Sequence, residues 1–88
     1  MRLEESIDSR VEAVVEHIAQ FISSIDDMIN LCYDDNRVVK LERLRNAMQN
    51  ELDRLHTVKP AEKEHLAKIF LRRASKRLAA ALRTIKYI

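Results

Sequence analysis

The sequence predicts an all-α protein: three antiparallel helices, a long first one and two shorter ones, packed as a helical bundle and completed by dimerisation. Three observations carry that prediction. Apolar residues recur at helical spacing through nearly all of the 88 residues. About a third of the chain is charged and nearly half is apolar, with 34% Asp, Glu, Lys and Arg, which suits amphipathic helices and not a disordered chain. The only strong helix breaker is Pro60, because there is no glycine at all. A chain of this length makes one domain, residues 1–88.

The first helix is expected over about residues 3–33. Ile7, Val11, Val14, Ile18, Phe21, Ile25, Met28 and Cys32 alternate in steps of four and three, an unbroken heptad seam. Val15, Ile22 and Ile29 add a third apolar line, also seven apart. A two-stranded coil needs only two such lines, so this helix expects at least two neighbours. Ser9 followed by Glu12 has capping-box spacing, so a firm start at Ser9 is expected, with the earlier residues either frayed or adding a turn. Glu5, Glu12, Glu16, Gln20, Asp26 and Asp27 form the opposite, wet face.

A tight turn is expected next, because the seam changes phase and Asp34, Asp35 and Asn36 are good helix caps. The second helix, about residues 36–56, carries its stripe on Leu41, Leu44, Met48, Leu52 and Leu55, with Val58 just beyond. Glu51 interrupts the ideal apolar pattern. Lys59 is pushed out of helical geometry by the proline that follows, and Pro60 then opens the third helix at its first turn with Glu62 and Glu64 beside it. That helix, about residues 60–87, has a broad face of Leu66, Ala67, Phe70, Leu71, Ala74, Leu78, Ala81, Leu82, Ile85 and Ile88. Ala67, Ala74 and Ala81 stand seven apart near its middle, where small side chains let a neighbour approach closely. Together with Val15, Ile22 and Ile29 they are the expected helix–helix or dimer interface.

Charge is unevenly distributed. Residues 1–33 hold two basic and seven acidic groups, residues 34–58 five of each, and residues 59–88 nine basic and two acidic. The third helix has Lys68, Arg72, Lys76, Arg83 and Lys86 on its back face with no acid among them. One reading is that these cations pair with the acids of the first helix and steer its packing. The sharper reading is a surface for an acidic partner or for nucleic-acid phosphates. Tyr33 and Tyr87 are the only tyrosines, so a base-stacking platform is poorly supported and duplex backbone binding is the form left.

Several chemistries are excluded or unsupported. Without glycine there is no phosphate loop, dinucleotide-binding turn or serine-hydrolase elbow. One cysteine cannot build an internal disulfide and fits a reducing cytoplasm. No apolar run approaches the roughly twenty residues of a membrane span, so no membrane partner is expected. His17, His56 and His65 lack metal-ligand spacing with each other or with Cys32. No catalytic, cofactor-binding or metal-binding residue is therefore assigned. The functional expectation is a small non-enzymatic protein-protein interaction module, a cytoplasmic homodimer of adaptor, chaperone-like or regulatory type. The alternative is a DNA-binding accessory protein using the basic face of the last helix, and a small helical enzyme ranks third.

Overall fold

A computed structural model describes residues 3–86, with side chains for residues 9–85. Three helices account for it: α1, Leu3–Leu31; α2, Asp35–Thr57; and α3, Pro60–Lys86. Each packs against both of the others. The molecule is long and narrow, 49 × 20 × 17 Å, as helices of 23–29 residues laid side by side must be.

The α1–α2 break is short, three residues from Cys32 to Asp34. Asp34 is extended (φ −92°, ψ 112°), and its carboxylate accepts from the backbone N–H groups of Asn36 at 2.9 Å and Arg37 at 3.4 Å. These are two of the donors that a helix start leaves without a partner, and satisfying them fixes where α2 begins. α2 stops where Val58 turns extended, its N–H still donating to the Arg54 carbonyl at 3.1 Å. Pro60 opens α3, and the Glu62 N–H donates to the Lys59 carbonyl at 2.9 Å.

The core lies along the common axis. Ile18, Ile22 and Ile25 come from α1; Leu41, Met48, Leu52 and Leu55 from α2; Ala67, Phe70, Ala74 and Ala81 from α3. Val11, Val14, Val15, Phe21, Met28, Ile29, Leu44, Leu71, Leu78 and Ile85 are partly buried against it. Among the described residues no polar or charged residue is buried as a whole, although single side-chain atoms of Glu51 and Arg77 are. Burial of these stripes holds the fold, because the Val and Ile of α1 are only middling helix formers.

Four expectations are corrected. Ser9 is not a cap, since α1 runs through it from Leu3. α1 ends at Leu31, so Cys32 falls outside the helix and is half-buried, with its thiol 3.7 Å from the Asp34 carbonyl oxygen. The seam of α1 is not buried evenly: Ile18 and Ile25 are its deepest residues, Phe21 is only half-buried, and Ile22 on the third line is buried. Leu82 is 49% exposed and lies outside the apolar face. The expected ends of the third helix, Tyr87 and Ile88, lie outside the described residues.

Candidate functional site

The residues expected to form a helix–helix or dimer interface are used within one copy. Ala67, Ala74 and Ala81 are each no more than 2% exposed. Ile22 is buried, and Val15 and Ile29 pack half-buried on the same core. With α2 and α3 both against it, α1 has its two neighbours without a second chain.

The cationic residues are placed very differently. Lys68, Arg72, Lys76 and Arg83 are all exposed on α3; the side chain of Lys86 is outside the described set. At 100° per residue these four span about 80° of the helix circumference, one stripe about 22 Å long from Lys68 to Arg83. His65, Ala61 and Ala79 share that stripe and are also exposed. Arg72, Lys76 and Arg83 make no ion pair among the described residues, and Lys68 is only 3.9 Å from Glu64 on its own helix. The cations are thus not neutralised by α1. The ion pair that does join α1 to α3 has the opposite polarity: Arg10 of α1 donates to Glu64 of α3 at 3.4 Å.

Packing brings further cations to this surface that the linear sequence does not reveal. A shallow groove of about 380 Å³ between α2 and α3 is lined by Arg37, Lys40, Ala80, Arg83 and Thr84. The Thr84 hydroxyl donates to the Ala80 carbonyl at 2.9 Å, so it is held within its own helix. Arg37 also lies 3.8 Å from the Asp34 carboxylate. The signal that could have found this groove is the short α2–α3 connection, which makes the start of α2 a neighbour of the end of α3.

Two other α3 arginines have a structural role. Arg73 donates to Glu51 of α2 at 3.3 Å, and Arg77 forms an ion pair with the other oxygen of the same carboxylate. Glu51 is 13% exposed at its side chain, so the polar residue that interrupts the α2 stripe is matched by two cations at the edge of the α3 stripe. The Arg73 guanidinium also sits 5.9 Å from the centre of the Phe70 ring, over the core edge. On the other side, Arg45 of α2 donates to Asp26 of α1 at 2.9 Å.

The remaining surface holds two features. A groove of about 510 Å³ has an apolar floor of Val11, Val15 and Leu55 and a rim of Glu12, Glu16, His56 and Lys63. An apolar hollow of about 210 Å³ is lined by Met28, Leu31, Cys32 and Ile85, with Leu31 77% exposed. Among the described residues no group of three or more His, Cys, Asp or Glu side chains is placed to hold a metal ion. No described helix is long and apolar enough to cross a membrane. Comparison with known proteins returns no match to a family model, to a curated protein or to a solved structure.

Proposed function

We propose that this chain is a small, non-enzymatic helical interaction module, of adaptor, chaperone-like or regulatory type, and that its binding surface is the outer stripe of α3. The helices alternate in direction in this reading. Three pairings support it: Asp26 with Arg45, Val15 beside Leu55, and Glu51 with Arg73 and Arg77. The observation that carries the functional reading is that Arg72, Lys76 and Arg83 stand exposed and unpaired while the apolar stripes are taken up inside. Four like charges along about 22 Å repel one another, and an acidic partner relieves that repulsion. The polar groups held most firmly, Asp26–Arg45 and Glu51–Arg73–Arg77, join helices to each other and do not surround a pocket, which supports a binding role over catalysis. The single thiol fits a reducing compartment, and the cytoplasm is the proposed location.

The partner class proposed first is an acidic protein surface. Fluorescence anisotropy with labelled polyglutamate tests it. Binding at about 50 mM salt, weakened at least tenfold when Arg72, Lys76 and Arg83 are all changed to Glu, is expected. No binding by the unaltered chain at that salt would overturn it.

A second reading is duplex nucleic acid. It is favoured by the groove of Arg37, Lys40 and Arg83, which carries the cationic surface past α3 onto α2. If about four phosphates are contacted, log affinity should fall against log salt with a slope near −4. Absence of duplex binding at low salt, or binding with no salt slope, would remove this reading.

A further inference from the structure

We propose that the cationic stripe of α3 docks in register on the acidic stripe of α1 of a second copy of this chain. The inference rests on the reading that the α3 stripe takes an acidic protein surface, and it names that surface.

The two stripes have the same spacing. Glu12, Glu16 and Asp27 on α1 are separated by steps of four and eleven, as are Lys68, Arg72 and Arg83 on α3. Each acid stands 56 positions before its counterpart (68 − 12, 72 − 16, 83 − 27). The same offset sets Gln20 against Lys76, Ala19 against Ser75, and Ser23 against Ala79. Equal steps mean equal helical phase, so each charged trio covers about 60° of its own helix. Two helices laid parallel at this offset therefore bring acid to base at three levels. Between those levels Ala19 faces Ser75 and Ser23 faces Ala79, small pairs that permit close approach, and Gln20 faces Lys76 as a polar pair.

All of these positions are exposed. Glu12, Glu16 and Asp27 make no ion pair among the described residues, so α1 offers an unmatched acidic stripe just as α3 offers a basic one. Within one copy the two cannot meet. α1 and α3 pack through other residues, with Val11 and Val14 beside Ala67 at one level and Met28 beside Ile85 at another. Their charged stripes face outward from different sides of the bundle. The contact is therefore head-to-tail, the α3 of one copy against the α1 of the next. Such a contact continues beyond two copies unless it closes into a ring. It consists of exposed charges, so it is weak and salt-sensitive.

Sedimentation of the full chain at high protein concentration tests this. At about 20 mM salt the mean mass should rise above that of one copy with increasing concentration, and at about 0.5 M salt it should return to one copy. Two charge-reversed variants supply the second arm: Glu12→Lys/Glu16→Lys/Asp27→Lys, and Lys68→Glu/Arg72→Glu/Arg83→Glu. Each alone should stay a single copy with unchanged helix content, and an equal mixture should associate again. A chain that remains one copy at low salt overturns the proposal without any variant. So does a mixture that fails to associate while the unaltered chain does. Polyglutamate separates the two levels of the argument. Binding of polyglutamate without self-association sinks only the second-copy partner. Loss of both sinks the acidic-partner reading as well.

Discussion

Replacing Ala74 by Leu should destabilise the bundle strongly. Ala74 is 1% exposed and lies midway along the line from Ala67 to Ala81, where α3 meets its neighbours. Leu adds three heavy atoms at a position with no free surface. Overpacking of this kind costs about 1–3 kcal/mol. A chain of 88 residues has a total stability of roughly 4–13 kcal/mol. Taking about 2 kcal/mol, the melting temperature falls by roughly 8–16 °C in a domain of this size. Far-ultraviolet circular dichroism during urea and thermal unfolding measures the change. Ala79→Leu is the control, because Ala79 is exposed on the same helix one turn away, and it should fall within about 0.5 kcal/mol of the parent. If Ala74→Leu matched Ala79→Leu, the claim that the alanine line sets the helix approach would be wrong.

Other outcomes follow from named contacts. Glu51→Ala should cost about 1–3 kcal/mol, because it leaves Arg77 without its partner at a position only 26% exposed; Glu42→Ala, at an exposed site on the same helix, should be near neutral in the same urea titration. Asp34→Ala removes the acceptor for the Asn36 and Arg37 N–H groups and should cost about 1 kcal/mol, with Asp34→Asn retaining most of that. Phe70→Ala empties the largest fully buried side chain and should cost about 3–5 kcal/mol, with hydrogen exchange quickening in the core of all three helices.

Much of the fold is legible in the sequence because it is dictated locally. Periodic apolar residues mark the three helices, and Leu41, Met48, Leu52 and Leu55, expected inside, are buried. Pro60 and the Asp34 cap set two boundaries by backbone chemistry alone. What escapes the sequence is set by packing in three dimensions. Nothing local says that Ile22 goes deeper than Phe21; that depends on where α2 and α3 lie around α1. Leu82 reads as part of a broad apolar face, but three helices cover only an arc of it. Glu51 reads as a flaw until Arg73 and Arg77 are placed across from it.

The candidate site divides the same way. The exposed stripe of Lys68, Arg72, Lys76 and Arg83 follows from helical spacing. Its freedom from the acids of α1 does not, because the net charges of the two helices favour pairing, while their outward faces never meet. Arg37 and Lys40 join that surface only through the turn between α2 and α3. The line of Val15, Ile22 and Ile29 suggested a second chain because its width exceeds a two-helix seam. A third helix from the same chain buries Ile22 and leaves Val15 and Ile29 half-buried.

One copy covers the core stripes of all three helices by itself, and its outer charged faces are what it offers to others. The most direct test is the unfolding midpoint measured over a hundredfold range of protein concentration, at about 0.3 M salt to screen surface charge. One midpoint is expected throughout. A core shared between two copies would be stabilised by about 2.7 kcal/mol of dimer over that range, and a midpoint climbing by roughly 5–10 °C would show that the apolar ridges are covered by a second chain.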